Sequence, residues 1–359
     1  MKLLVLCAFE PASTFSYHTA WPRHLAAHPA LECTTINLLD RRVMARLRAL
    51  ATVRAGRFDR VVLLHSVFSN GRALDGPLFD LVRAAPQPKA YFIGNEYKLM
   101  PEKMAFCEDL GIALLISQSS SPTIHRLYRE RLRCAVTGIP NTGLDPARFT
   151  PKTPAGERPI DLGYRADDSP VYLGHRERRE MADYFRGVAA KFGLTVDISL
   201  DPADRLAEAE WAAFLDRCKG QLGTEAGGDY FDLDDRTRKA VNAYLAEHPN
   251  ASFDDVFERF FRHLEGAVPL RILSGRNVEA AGTKTVQILF DGEYDGYFLP
   301  DEHYIPLRKD FSNADEAIRK FRDVAFCERL AQNAYDVATS SLTYSTLIDR
   351  LRAALANLN

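Results

Sequence analysis

Two α/β domains, each a mostly parallel sheet covered by helices, are what this chain of 359 residues predicts, and two observations carry the reading. The first is length: single cores stop growing at about 250–300 residues, so a chain of this size divides in two. The second is alternation. Between residues 1 and 140 the short apolar runs LLVLCAF, CTTINL, RVVLLHSV, KAYFIG and IALLISQ are each followed by a segment of helical period. Strand–helix units repeated in this way close into a parallel sheet, and two Rossmann-like halves fit the length.

The elements follow in chain order. In a parallel sheet ligands bind at the carboxyl ends of the strands, and those ends are polar and small here: residues 10–17, 65–70, 94–98 and 117–121. The stretch TPKTPAGERP, residues 150–159, concentrates proline, glycine and charge with no apolar period, which places an interdomain linker there. The expected division is therefore an N-terminal domain over 1–155 and a C-terminal domain over 156–340. In the second, PIDLGYRA reads as a first strand, residues 178–192 as a helix, LTVDISL as a second strand, 211–218 as a helix, and QLGTEAGG as a strand running into a loop. Residues 229–268 differ in character, with two amphipathic helices and no strand; Ser252 caps the second, with Asp255 three positions on. They read as a helical insertion. A last segment, 341–359, holds a helix with Leu347, Ile348, Leu351, Ala354 and Leu355 on one face.

Composition narrows the function. With 46 Lys and Arg against 48 Asp and Glu there is no basic excess for a nucleic-acid backbone, which argues against that partner. The cysteines at 7, 33, 107, 134, 218 and 327 show no C-x-x-C spacing and no clustering with histidine, against structural zinc or a disulfide framework and consistent with a reducing cytoplasm. The N-terminal run MKLLVLCAFEP is too short for a signal sequence and reads as a buried strand. No stretch reaches the roughly 20 apolar residues of a membrane helix, so membrane contact would be peripheral.

The densest information lies in residues 274–313. Ser274, Gly275 and Arg276 can open a helix whose first-turn amides face an anion, and Glu279 one turn on can accept hydrogen bonds from ribose hydroxyls. The strand of residues 285–290 follows. The run GRNVEAAGTKTVQILFDG resembles the donor-binding segment of glycosyltransferases with the two-domain GT-B fold, with its R-x-x-E-A pattern. PDEHYIPLRKDFSN, DLGYRADDSPVYLG, LGTEAGGDYFD and FIGNEYKLMPEK are similar to segments of the "glycosyl transferases group 1" type related to spore-maturation-type glycosyltransferases, found in surface-polysaccharide synthesis.

The resemblance implies a GT-B architecture, two Rossmann-like domains facing across a cleft, whose C-terminal helix returns to the N-terminal domain. It implies a cytoplasmic, metal-independent hexosyltransferase without cofactor, moving sugar from a nucleotide diphosphate sugar to a glycan or lipid-linked acceptor. A nucleotide-sugar epimerase and a non-catalytic scaffold share the fold and are the alternatives. The donor set it implies is Gly163, Arg165, Glu225, Ser274, Arg276, Asn277 and Glu279, with Arg178 and Lys284 as further cations. Similar family 4 enzymes carry a second glutamate eight positions before the first; that position is Arg271 here, and Glu225 in its Gly-rich loop is the expected substitute for the sugar contact. His18, which follows the first strand's loop and starts a helix, and Glu96, which follows the strand YFIG, are the candidate catalytic bases beside Glu225, with His65 at the end of the third strand as a further histidine. His303 and Tyr304 would shape the pocket. Asp232 and Asp234 form a D-x-D pattern read as helix capping, and GTKT at 282–285 lacks P-loop spacing.

Overall fold

A computed structural model describes residues 1–10 and 16–358 and divides the chain into two compact units. The expected strand end at 10–17 therefore lies partly outside the described residues. Unit 1 comprises Met1–Asn141, Phe231–Lys239 and Tyr344–Asn359; unit 2 comprises Thr142–Tyr230 and Ala240–Thr343. The break thus falls before the proline-rich linker of 150–159, and Phe231–Lys239 of the expected insertion belong to unit 1.

Unit 1 alternates β1 (Lys2–Cys7), α1 (Ser16–Ala27), β2 (Glu32–Asn37), α2 (Val43–Ala55), β3 (Arg60–Leu63), α3 (Gly76–Ala84), β4 (Lys89–Phe92), α4 (Met100–Leu110), β5 (Ile112–Ser117), α5 (Pro122–Leu132) and β6 (Ala135–Gly138). The strands form one parallel sheet in the order β2-β1-β3-β4-β5-β6. Because side chains alternate across a strand, Leu3, Val5 and Cys7 face one layer and Leu4 and Leu6 the other, and all five are buried. The first layer is α1, with Trp21 and Leu25.

Unit 2 continues with β7 (Ile160–Arg165), α6 (Glu177–Val188), β8 (Val196–Ser199), α7 (Glu208–Arg217), β9 (Cys218–Gly223) and β10 (Ala226–Gly228). Then come α8 (Arg236–Glu247), α9 (Phe253–Phe260), β11 (Leu270–Ile272), α10 (Gly275–Gly282), β12 (Val286–Phe290), β13 (Ile305–Leu307), α11 (Ala314–Arg322) and α12 (Val324–Ser341). Its parallel sheet runs β13-β12-β9-β7-β8, and β10 pairs antiparallel with β11. The helical stretch thus leaves from one strand of a two-stranded ribbon and returns on the other. Ser252 and Asp255 form the expected capping box, and Val241, Val256 and Phe261 make a small core of their own with Tyr230, Tyr244 and Phe257.

The last helix, α13 (Tyr344–Ala356), belongs to unit 1. Tyr344, Leu347, Ile348, Leu351 and Leu355 pack with Leu3, Val5, Trp21, Phe92 and Ile116 in one apolar cluster. The Trp21 and Tyr344 rings meet edge to face at 5.5 Å, an arrangement that suits their quadrupoles. At the other end Arg60 of β3 donates to the carbonyls of Leu355 (3.3 Å) and Leu358 (2.6 Å), answering the unpaired carbonyls of a helix terminus. Leu351 is fully buried. Leu351→Ala should therefore lower stability by about 2–5 kcal/mol, the cost of an unfilled core cavity, measured as a shift in urea midpoint followed by far-UV circular dichroism.

Candidate functional site

The chemistry of unit 2 gathers at the carboxyl ends of β7, β9 and β12 and at the start of α10. Arg271, on β11, occupies the position where the family resemblance leads one to look for a glutamate. It is held by Glu177 of α6 through two hydrogen bonds of 2.9 and 2.8 Å, and by Asp229 just beyond β10. Lys309 also reaches Glu177, at 2.8 Å. Two carboxylates and two cations balance. Burial alone would raise the Glu177 carboxyl, but the Arg271 and Lys309 cations outweigh it and bring it down to about 2.

His175 completes this wall. Its Nε2 lies 3.1 Å from the Gly227 carbonyl and so carries the proton, while burial lowers its pKa and keeps the ring neutral. Gly227 must be glycine: φ is +93°, and a Cβ would collide with the Leu270 carbonyl across the ribbon.

Glu225 lies in the loop between β9 and β10. Its Oε1 accepts the backbone N–H of Tyr294 at 2.8 Å, and its carboxyl group fills the space a Cβ at Gly292 would need, 2.6 Å from Oε2. Burial raises its pKa against the pull of the Tyr294 amide and Arg271.

The start of α10 is different. Ser274 is the N-cap residue, but its side chain makes no capping bond. Arg276 makes no hydrogen bond and no ion pair among the described residues. Burial, together with the Arg178 cation, pulls its pKa down to about 10, so it stays charged at neutral pH. Arg178 of α6 makes one long bond, 3.4 Å to the Asp167 carbonyl, and its buried Nε has no partner. The hydroxyl of Tyr164, at the end of β7, is buried without a partner and feels both cations. Two guanidinium groups and a phenol thus come together, and neither guanidinium group is ion-paired to a carboxylate, although Asp167 and Glu279 lie near enough to act on Arg276. Uncompensated buried donors are costly, and an anion would satisfy them.

Glu279, one turn beyond Arg276, is buried and accepts the indole N–H of Trp211 at 2.7 Å. Residues three apart share a helix face, so its carboxylate lies on the side of Arg276.

Other expected donor residues are engaged elsewhere. Arg165 donates to the Asp197 carboxylate at 2.6 Å and to its carbonyl at 3.0 Å, and stacks on Phe214 at 4.5 Å. It braces β8 and α7. Gly163 answers packing, since a Cβ there would collide with Cys218 and Phe214. Asn277 points into the domain, donating to Gln287 at 3.0 Å beneath α10. Lys284 bonds Gln332 at 2.7 Å, on the far side.

In unit 1, Glu96 is buried and fully used: it accepts from Tyr128 (2.7 Å), the Gln118 amide (2.7 Å) and Ser117 (2.8 Å). A carboxylate so committed braces β5 and α5 and is no free base. His65 sits among Trp21, Phe92 and Tyr17 with its Nε2 buried and unpaired, a core histidine. His18 is half-buried and burial lowers its pKa to about 4, so its imidazole is neutral at physiological pH. Asp232 accepts from the amides of Asp234 (2.8 Å) and Thr237 (3.1 Å) at the start of α8, a capping arrangement. His303 Nδ1 accepts the Leu299 amide at 3.0 Å and holds its own loop. Arg178 and Tyr164 are the residues that sequence reasoning undervalued; the only signal was their place on either side of the loop after β7.

No protein-family model matches the sequence, and no curated protein matches it significantly. Among solved structures, the chain is similar to Anabaena Alr3699/HepE in complex with UDP and glucose, at 10% identity and TM-score 0.55, over 100% of both chains. It is similar to T4 phage BGT in complex with its UDP-glucose substrate, at 10% identity and TM-score 0.58, over 100% of both chains. Sucrose-phosphate synthase from Thermosynechococcus elongatus shares 11% identity and TM-score 0.54, over 100% of this chain and 99% of that one. At such identities the likeness shows the fold, which is GT-B with two Rossmann-like domains.

Glu177→Gln should cost about 3–5 kcal/mol at neutral pH, because it strands a buried Arg271 charge. The Glu177 carboxyl titrates at about 2 in the folded chain against an ordinary 4.5. Its contribution is therefore present above the ordinary value and lost as pH falls toward the folded one. Urea denaturation at pH 7 and near pH 3 should show the deficit of the variant shrinking at the lower pH.

Proposed function

We propose that the chain is a glycosyltransferase whose unit 2 holds a nucleotide diphosphate sugar. The observation that carries this is the convergence of Arg276, Arg178 and the Tyr164 hydroxyl, two cations and a donor that make no ion pair with a carboxylate among the described residues. A diphosphate supplies the missing charge. Arginine suits the task because its fork matches phosphate oxygens and stays charged even when buried. The similar Anabaena and phage T4 proteins were solved with UDP and glucose or UDP-glucose, which supports a uridine donor.

In this reading the nucleotide lies along α10. Glu279, oriented by Trp211, takes the ribose hydroxyls; Arg276 and Arg178 hold the diphosphate. As the bond between the sugar and the diphosphate breaks, negative charge grows on the departing oxygen, and prepositioned guanidinium groups stabilise it most at that moment. They do here what a divalent metal does in other glycosyltransferases, so transfer proceeds without one. Glu225, with its raised pKa, contacts the sugar. Neutral His18 in unit 1 is the base candidate on the acceptor side. The acceptor is a glycan or lipid-linked sugar, in surface polysaccharide synthesis, as the sequence resemblance implies.

Calorimetry on the full chain tests this. UDP and UDP-glucose should both bind, and Arg276→Ala or Arg178→Ala should weaken both by about 1.5–3 kcal/mol, the range for a charge-assisted hydrogen bond, with Tm nearly unchanged. No nucleotide binding at millimolar ligand would sink the reading. Glu225→Gln should lower affinity for the nucleotide sugar, or kcat, and leave affinity for UDP intact. Equal losses for both ligands would move Glu225 to the phosphates. Activity should survive EDTA; strict dependence on added manganese would contradict the role given to the arginines.

A further inference from the structure

His175, two residues before α6, is 7% exposed and carries one nitrogen that the fold does not use. Its Nε2 donates to the Gly227 carbonyl at 3.1 Å, which makes Nδ1 an acceptor, buried and without a partner among the described residues. A buried acceptor left unmade is costly. A donor brought by a ligand answers it.

The neighbouring groups say what kind of ligand. Arg271 faces Gly227 across the ribbon, so His175 and Arg271 border the same residue. Arg271 is spent on Glu177 and Asp229, and Lys309 on Glu177. Glu225 stands two residues before Gly227; the Tyr294 amide takes its Oε1, and its Oε2 has no hydrogen-bond partner among the described residues. The wall therefore offers two open acceptors, His175 Nδ1 and Glu225 Oε2, while its two cations are already matched by two carboxylates. Hydroxyl groups suit such a wall, because each can donate to one acceptor. A carboxylate does not suit it. It can only accept, it finds no unpaired cation, and it would stand beside Glu225, Glu177 and Asp229. Tyr164 lies within electrostatic reach of Arg276, Arg178 and Glu177, so a group attached to a diphosphate at the arginines adjoins this wall.

We propose that the wall selects an uncharged sugar over a uronic acid, with His175 Nδ1 accepting a hydrogen bond from a sugar hydroxyl. The inference rests on the donor reading given above and names the class of sugar which that site takes. His175 is then a specificity residue beside Glu225.

Calorimetry on the full chain with UDP, UDP-glucose, UDP-galactose, UDP-N-acetylglucosamine and UDP-glucuronate tests it. UDP alone reports the donor site, and the differences among the sugars report the wall. At least one uncharged sugar should bind about tenfold or more tighter than UDP-glucuronate. His175→Gln keeps an N–H near the place of Nε2 and removes the Nδ1 acceptor. It should weaken the preferred uncharged sugar by about threefold to tenfold, the range for one neutral hydrogen bond, and leave UDP unchanged. His175→Asn, whose side-chain oxygen stands in for Nδ1, should recover part of that loss. Circular dichroism and Tm check that both variants are folded. If UDP binds and UDP-glucuronate binds as tightly as every uncharged sugar, the proposal is overturned, whatever the variants do. It is overturned equally by a folded His175→Gln variant that binds every ligand as the parent does, or that loses UDP and nucleotide sugar to the same extent. Absence of UDP binding would remove the donor site itself, and this selectivity with it.

Discussion

A guanidinium group set on a strand inside a domain must be neutralised where it stands, and in unit 2 that requirement fixes much else. Arg271 draws Glu177 from α6 and Asp229 from the end of β10, and Glu177 in turn draws Lys309 from the segment after β13. One cation therefore ties α6, and through Glu177 the segment after β13, to the β10–β11 ribbon. An ion cluster of this kind adds little net stability compared with a well-packed apolar one, yet losing one member is costly. It acts as a constraint on position. With Arg271 held, the ribbon holds Gly227, and Gly227 receives His175.

Beside this closed and balanced cluster lies an open one. Arg276, Arg178 and the Tyr164 hydroxyl are charged or polar, partly withdrawn from water, and not ion-paired. The physical contrast separates the two arginine positions on neighbouring elements: Arg271 is satisfied by the protein, and Arg276 is left for something else. Glu225 sits near the first and takes its raised pKa from burial, with Arg271 too far engaged to offset it.

The order of strands and helices was legible in the sequence because apolar runs and helical periods are local properties, and β1, β4, β7, β12 and α13 fall where those runs lie. The Ser252 and Asp255 capping box is equally local. The direction of a polar side chain is not. Arg165 and Arg178 flank one loop, and nothing in their neighbours in sequence says that Asp197, thirty-two positions away, takes the first while the second turns inward from the charged run HRERRE. Glu96 reads as a strand-end base until Tyr128 and Ser117 arrive from elements later in the chain. Asn277 lies one residue from Arg276 on a short helix, and one residue is enough to turn it from the ligand side to Gln287.

The position of α13 bears on how the chain is made. Its residues complete the apolar layer over Leu3, Val5 and Trp21 of the first sheet, yet they follow the whole of unit 2 in sequence order. Domains generally fold as units while the ribosome adds residues from the N-terminus. Here the unit begun first is the unit finished last: its sheet can pair strands and take α1 early, but the part of that layer filled by α13 stays open until every residue of unit 2 has been synthesised. Unit 2 meets no such delay. Until α13 arrives, the apolar side chains it covers beside Trp21 have no partner from their own unit.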